Sequence, residues 1–200
     1  MTILALETST QRGSVAVLSN GRVLYEQAFQ AERGHSEQIF GCLEAAWVFC
    51  TPCDRIAIGL GPGSYSGVRI AISAAIGLSM ATGAELVGLV SAAALEGDEP
   101  HYAMIGDARR GSYYYVEVSH GACDFGPVLL SAEELTAKLE GNLHPIFADA
   151  PIADFPQADL AFPTATRLAH LAAQDRGIIQ RGTLEPLYLR DPHITLPKAK

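Results

Sequence analysis

The sequence has little positive charge and no long apolar run. Lys and Arg number 14 against 22 Asp and Glu, which gives a formal charge of −8. An acidic surface repels phosphate backbones, so nucleic-acid binding by this chain alone is disfavoured. The longest uncharged stretch, Ile70 to Ala84, is too short to cross a bilayer, and no basic-then-apolar segment follows Met1. We therefore expect a soluble cytoplasmic protein that makes no membrane contact.

Cysteine and histidine are also sparse. Four cysteines are too few for a disulfide-rich scaffold. Cys50 and Cys53 have the spacing of a redox pair or half a zinc site, but no second Cys-x-x-Cys completes a metal shell. Because the pair ends a predicted helix, where the dipole is negative, we expect reduced thiols with raised pKa values. The six histidines include no pair three or four residues apart, so the sequence predicts no metal site.

The familiar nucleotide-binding motifs are missing from the most glycine-rich loop, GLGPGSYSG. It lacks the Gly-Lys-Ser/Thr ending of a P-loop, and Ser64 stands where a dinucleotide-binding loop has its third glycine. Two interpretations stay open: backbone N–H groups beside a helix N-terminus bind phosphate, or the loop is a tight strand-to-helix turn. The residues expected at a nucleotide or phosphate are Glu7, Ser9, Gly61, Gly63, Ser64 and Asp107.

What the sequence does contain is a regular order of elements. Asn20-Gly21 between two β-rich runs predicts a hairpin within three antiparallel strands. A helix from about His35 to Cys50 follows, then the strand DRIAIGL, the glycine loop, a helix from about Tyr65 to Thr82 and the strand ELVGLV. Three strands, helix, strand, helix, strand is the ribonuclease H-like order.

The second half begins like the first. YAMIGDARRGSYYYVEVS and ILALETSTQRGSVAVLS each place an acid at a strand end, then Arg-Gly-Ser, then an apolar strand. A duplicated unit with Glu7 and Asp107 facing one cleft is how actin-like folds hold a metal–nucleotide. Further helices are expected over about 132–140 and 165–174, with a strand in HPIFADA. The predicted lobes are residues 1–97 and 98–200.

The helix over residues 65–82 is nearly free of charge. Past Arg69 no solvent-facing side is visible, so we expect it to be buried almost all round. Its cover is either the chain's own sheet and preceding helix, or a second chain that docks as a helical bundle. The residues expected at a partner interface are Ile39, Leu43, Trp47, Val68, Arg69, Ala71, Ile72, Ala75 and Ser79.

Several blocks of the sequence resemble one family. ILALETST, GHSEQIF, GLGPGSYSGVRIAISAAIGL, LVGLVSAAAL, DARRGSYYYV and EPLYLRDP occur in the order and spacing of the TsaB (YeaZ) family. These proteins are subunits of the bacterial machinery that makes threonylcarbamoyladenosine (t6A) in certain tRNAs. The resemblance implies an α/β, two-lobed actin-like ATPase (ASKHA, ribonuclease H-like) fold with a duplicated βββαβα unit. It also implies that the helices over 35–50 and 65–82 contact the catalytic paralogue TsaD or a second copy.

The resemblance further implies an accessory subunit with no catalytic residues or metal of its own. TsaD would bind the metal and transfer the threonylcarbamoyl group, a TsaE-type ATPase would join, and tRNA would be reached only through the complex. We expect no required cofactor and at most weak ATP or ADP binding, mainly within the complex.

An alternative is a stand-alone ATP-binding phosphotransferase or hydrolase using Glu7, Asp107 and the glycine loop, and a peptidase is a third, weaker hypothesis. Glu7 replaces the family's usual Asp, and the sequence has no Gly-Gly pair. FADAP also lacks glycines that relatives often have after that strand. These departures weaken the hydrolase hypothesis.

Overall fold

Two mixed sheets organise the chain in the computed structural model, which describes residues 1–30, 36–97 and 99–190. The elements of the first half are, in chain order, β1 (Thr2–Glu7), β2 (Arg12–Ser19), β3 (Arg22–Gln30), α1 (Ser36–Trp47), β4 (Arg55–Gly59), α2 (Tyr65–Thr82), β5 (Glu85–Leu89) and a short 3₁₀ helix (Ser91–Ala94). Those of the second half are β6 (His101–Asp107), β7 (Ser112–Ser119), β8 (Ala122–Ser131), α3 (Ala132–Glu140), β9 (Ile146–Ala148), β10 (Asp159–Leu160), α4 (Ala165–Ala173) and β11 (Ile178–Arg181).

The two sheets repeat one topology. The first has the order β11-β5-β4-β1-β2-β3, and the second has the order β10-β9-β6-β7-β8. In both, a three-strand antiparallel meander pairs its first strand in parallel with the strand that follows the first helix. The expected duplication is therefore present in the strand order itself.

The end of the chain returns to the first sheet. α4 packs against β1, β2 and β4, and β11 pairs antiparallel with β5. Arg55 ties these segments together, because its guanidinium donates to the Ala172 carbonyl at 2.5 Å and to the carboxylates of Glu85 and Asp175. Residues 98–200 thus contribute to both sheets, and the division into two lobes stays a prediction.

Three apolar cores result from this arrangement. The inter-sheet core holds side chains of both sheets, the 3₁₀ helix and α4, such as Ile3, Met104 and Leu168. The helix-side core lies beneath α1 and α2 on the other face of the first sheet. The third core lies between the second sheet and α3 and includes Ile105 and Leu135. The inter-sheet core thus joins residues of β1 to residues of β6 and β7.

Local sequence signals fix the boundaries of α2. The Ser64 hydroxyl accepts a hydrogen bond from the Gly67 N–H, which caps the first turn. Gly83 ends the helix in the left-handed region, with φ of 76°, and its N–H donates to the Ser79 carbonyl. The bounds predicted for α2 and α3 are confirmed, and so is the turn at Asn20-Gly21, whose φ values are both positive. The predicted start of α1 at His35 lies outside the described residues.

Candidate functional site

The glycine loop is held by hydrogen bonds to two neighbouring segments of the first half of the chain. The Gly61 N–H donates to the Ser91 hydroxyl oxygen at 3.0 Å, and the Gly61 carbonyl accepts from the Ser91 N–H at 2.9 Å. The Ser64 N–H donates to the Ser9 carbonyl at 2.6 Å. Gly63 is required for this approach, since a Cβ there would lie 2.1 Å from the same carbonyl oxygen. Two of the loop's N–H groups are therefore used internally, which favours the turn over a phosphate cradle.

The acid at the end of β1 is completely buried. Glu7 has no exposed surface, and one of its oxygens, Oε1, accepts from the Ser9 N–H at 2.6 Å. Its second oxygen and the hydroxyls of Thr8 and Ser9 make no hydrogen bond of good geometry within the described residues. Burial raises the pKa of the Glu7 carboxyl, and nearby polar groups of Ser9 and Ser91 offset this only in part.

Tyr114 of the second sheet lies near Glu7 and pairs with an aspartate, Asp149, that directly follows β9. Tyr114 on β7 is buried in the inter-sheet core, and its hydroxyl donates to Asp149 at 3.4 Å. Burial raises the pKa of the Tyr114 phenol, and the charges of Asp149 and Glu7 raise it further. Burial also raises the pKa of the half-buried Asp149 carboxyl. Neither residue was among the expected site residues, although Asp149 lies in HPIFADA, where a strand was predicted; the strand β9 ends one residue before it, at Ala148.

Asp107 does not occupy the position in the second sheet that Glu7 occupies in the first. Because side chains alternate between the two faces of a strand, Asp107 is on the same face of β6 as Ala103 and Ile105, which pack in the third core. Glu7 is on the same face of β1 as Ile3 and Ala5, which pack in the inter-sheet core. Asp107 is exposed and accepts a hydrogen bond from the Arg109 N–H at 2.6 Å within its own hairpin turn. The expected pair of acids facing one cleft is therefore not formed by Glu7 and Asp107.

Most residues expected at a partner interface lie in the helix-side core. Those with less than a tenth of their surface exposed are Ile39, Leu43, Val68, Ala71, Ile72 and Ala75. They pack onto the chain's own sheet, because each lies on the inward stripe of its helix. Trp47 and Ser79 are half-buried and Arg69 is exposed beside Tyr65, whose hydroxyl accepts from its guanidinium. A partner interface at α2 therefore has to use a neighbouring stripe.

The outer stripe of α2 is apolar and exposed. Met80 is 84% exposed and Ile76 is 39% exposed, with Ser73 and Gly77 beside them. The expectation that α2 is buried almost all round is wrong for the single chain, since its own sheet covers only one side. Phe40 on α1, which shares the helix-side core, and Val48, directly after α1, are likewise exposed. The two helices therefore present an outward layer of uncovered apolar side chains.

The cysteine pair departs from its expected chemistry. The helix α1 ends at Trp47, before the expected end at about Cys50, so the buried Cys50 lies in the turn beyond it, and Cys53 is half-buried before β4. A hydrogen bond from the Cys50 thiol lowers the pKa of Cys53, while the same contact and burial raise the pKa of Cys50. The expected rise in pKa is therefore found for Cys50 and not for Cys53. Within residues 1–30, 36–97 and 99–190, no group of three or more His, Cys, Asp or Glu side chains is arranged to hold a metal ion.

Comparison with known proteins identifies the family. A family model described as "TsaD: tRNA N6-adenosine threonylcarbamoyltransferase" matches residues 26–144, more than half of the chain. A Haemophilus influenzae protein named "tRNA threonylcarbamoyladenosine biosynthesis protein TsaB" is 28% identical over 96% of this chain and 94% of its own length. The Escherichia coli protein of the same name is 32% identical over 58% of this chain and 54% of its own. The chain belongs to the TsaB (YeaZ) family.

The solved structure of YeaZ from Pseudomonas aeruginosa agrees with this family. It superimposes with a TM-score of 0.76 at 26% identity and covers 94% of this chain and 99% of its own. The actin-like fold implied by the TsaB resemblance is confirmed. Among the described residues, no helix combines the length and apolar character that a membrane crossing requires.

Proposed function

We propose that this chain is a non-catalytic subunit of the assembly that makes t6A in tRNA. In this role it supports a TsaD-type transferase by docking through the outer stripes of α1 and α2. Relatives that cover nearly all or about half of the chain are named t6A biosynthesis proteins, and a TsaD-type model matches most of its first half. The observation that carries the proposal is the uncovered apolar layer with Met80 and Ile76 at its centre.

The chemistry of the outer stripe suits a helix-on-helix contact. Gly77 and Ser73 are small, so a partner helix can approach the α2 backbone closely between the larger Ile76 and Met80. Full burial of an exposed Met or Ile side chain contributes about 1.5–3 kcal/mol. Met80 has most of this gain available at 84% exposure, and Ile76 has a smaller part at 39%. A paralogous chain with the same fold can offer an equivalent helix pair, as can a second copy of this chain.

The surroundings of Glu7 support the non-catalytic part of the proposal. Glu7 is completely buried, Ser64 caps α2, and Asp107 lies on the face of β6 that packs against the third core. A magnesium-bound nucleotide needs exposed carboxylate oxygens, and the geometry around Glu7 offers none. The alternative of a stand-alone phosphotransferase or hydrolase therefore has weaker support. Association with a TsaE-type ATPase, and with tRNA through the complex, stays a prediction.

The test is binding of the purified chain to a TsaD-type transferase, with affinity by calorimetry and stoichiometry by light scattering. Met80→Glu and Ile76→Glu should each weaken binding at least tenfold, because a charge replaces an apolar contact that is worth about 1.4 kcal/mol or more. Leu143→Glu is the matched control, since Leu143 is 94% exposed in the second half of the chain.

Unchanged binding by Met80→Glu and Ile76→Glu would place the interface elsewhere. Ala75 is unsuitable as a probe, because it is fully buried and a charged replacement would disturb folding instead. Light scattering of the chain alone, with and without Met80→Glu, shows whether the same stripe also forms a homodimer.

A further inference from the structure

Three histidines that are far apart in the sequence meet at one corner of the second sheet. His101 begins β6, His120 follows β7, and His144 precedes β9. The ring centre of His101 lies 4.6 Å from that of His120 and 5.4 Å from that of His144. This proximity follows from topology, because β6 pairs antiparallel with β7 and parallel with β9, so the three strand ends share one edge.

Backbone hydrogen bonds hold the three positions in place. The His120 N–H donates to the Pro100 carbonyl at 2.6 Å, and the Ala103 N–H donates to the Pro145 carbonyl at 2.9 Å. These bonds fix the chain on either side of the cluster, while the rings of His120 and His144 are exposed and that of His101 is half-buried. The rings can therefore reorient about their side-chain torsions without a change in the backbone.

We infer that His101, His120 and His144 form a binding site for a divalent transition-metal ion of the zinc type. With metal–nitrogen bonds of about 2.0–2.1 Å, two imidazole rings on one ion have centres roughly 4.5–5.5 Å apart for angles between square and tetrahedral. The two measured separations from His101 have this size, which shows that the rings are close enough to share an ion once their nitrogens converge. Neutral imidazole is a common ligand of Zn²⁺, Ni²⁺ and Cu²⁺.

The rings have to rotate before they can share an ion. At present His101 meets His120 edge-on, with an interplanar angle of 75°, and stacks on His144 at 30°. In this arrangement the described residues contain no convergent group of three or more donor side chains. The site therefore requires rotation about χ1 and χ2 of the exposed His120 and His144 and the half-buried His101, which would turn a nitrogen of each toward a common point.

The surrounding cleft contains a further carboxylate that is free to approach the cluster. An open cleft of about 400 Å³ is lined by His101, His144 and the exposed Asp124. Glu117 lines it too, but its Oε1 is already held by Lys138 and by the Tyr115 hydroxyl, both at 2.8 Å. The Lys138 charge is thereby compensated. Asp124 or water can then complete a tetrahedral shell, and the ion would link the beginnings of β6 and β9 to the β7–β8 turn.

The test is calorimetric titration of the full chain, free of any affinity tag, with Zn²⁺. We expect one saturable equivalent, and we expect His101→Gln to weaken the binding at least tenfold. His170→Gln is the matched control, because His170 lies on α4 and outside the cluster. Circular dichroism shows whether each variant is folded. His120→Gln and His144→Gln, at exposed positions, test the site if the His101 variant does not fold.

Absorption of the Co²⁺ form separates this site from the cysteine pair. Histidine ligation gives ligand-field bands without thiolate charge transfer, and a Cys50→Ser/Cys53→Ser variant should keep both the bands and the Zn²⁺ affinity. Three results would each overturn the inference. They are the absence of saturable Zn²⁺ binding, equal affinity in wild type and in the folded cluster variants, and loss of binding in the cysteine variant.

Discussion

The carboxyl group of Glu7 fills the space that a side chain at position 59 would need. A Cβ on Gly59 would lie 1.8 Å from Oε2 of Glu7 and 2.5 Å from the Ser91 hydroxyl oxygen. Since β1 and β4 are neighbouring strands, the acid is fitted against its own sheet and does not point toward solvent. This contact explains why Glu7 is buried without surface exposure.

Gly59→Ala should therefore destabilise the fold. Inserting a methyl group into a filled site costs about 1–3 kcal/mol, measured as a lower urea midpoint. Gly41→Ala on α1 is the control, because nothing lies within 4 Å of its Cβ and alanine favours a helix by up to about 1 kcal/mol over glycine. Adding Glu7→Ala to Gly59→Ala should restore part of the loss. Equal stability of wild type and Gly59→Ala would show that Glu7 does not occupy this space.

Glu7→Gln should make stability less dependent on pH. The pKa of the Glu7 carboxyl is raised in the folded protein by burial. The stability that this carboxyl contributes to the fold is therefore fully present below its unfolded pKa of about 4.3, and it is lost as the pH rises through the folded pKa. The variant, which carries no charge, should exceed wild type in stability at pH 8, with a difference that shrinks toward pH 4.

Urea midpoints across this pH range measure the effect, with Glu140→Gln, at an exposed site, as a control. A Glu7→Gln protein that is less stable than wild type at pH 8 would show that contacts of the Glu7 carboxylate outweigh the cost of burying its charge.

Arg55→Leu should loosen the return of α4 and β11 to the first sheet. Arg55 is only 8% exposed and donates to a carbonyl and two carboxylates. Loss of these charged hydrogen bonds should cost about 1.5–3 kcal/mol. Arg181→Leu, which removes an exposed partner of the same carboxylates, should cost less than about 1 kcal/mol. Similar losses of stability in the two variants would mean that the burial of Arg55 does not strengthen its hydrogen bonds.

Cys53 should be the most reactive of the four cysteines. The Cys50 hydrogen bond lowers the pKa of Cys53, whereas burial raises the pKa values of Cys42 and Cys123. Limited alkylation with iodoacetamide at neutral pH, read by peptide mass spectrometry, should modify Cys53 first. Cys50→Ala should slow this modification, because alanine has no donor for the hydrogen bond that lowers the pKa of Cys53. Earlier labelling of Cys123 would contradict the assignment.

Local patterns predicted elements better than they predicted contacts between distant segments. The bounds of α2 follow from Ser64 and Gly83, which act through neighbouring backbone groups. The return of α4 to the first sheet is not visible in the sequence, because an amphipathic helix does not specify which sheet it covers. Asp107 was placed opposite Glu7 since both end a strand, yet a one-residue difference in register sends a side chain to the other face.

The interface and the histidine cluster show the same limit. The absence of charge on α2 predicted burial, but composition does not distinguish a side covered by the chain's own sheet from a side left for another chain. His101, His120 and His144 are spaced too widely for any ligand motif, and only strand pairing brings them together.

The most direct test of the accessory role is t6A formation by a reconstituted assembly, with this chain supplied as wild type or variant. Mass spectrometry of nucleosides from the tRNA measures the product. The account predicts that Glu7→Gln supports t6A formation like wild type, whereas an Ile76→Glu/Met80→Glu double variant that remains folded supports little. Full t6A formation with the double variant, or its loss with a folded Glu7→Gln protein, would contradict the account.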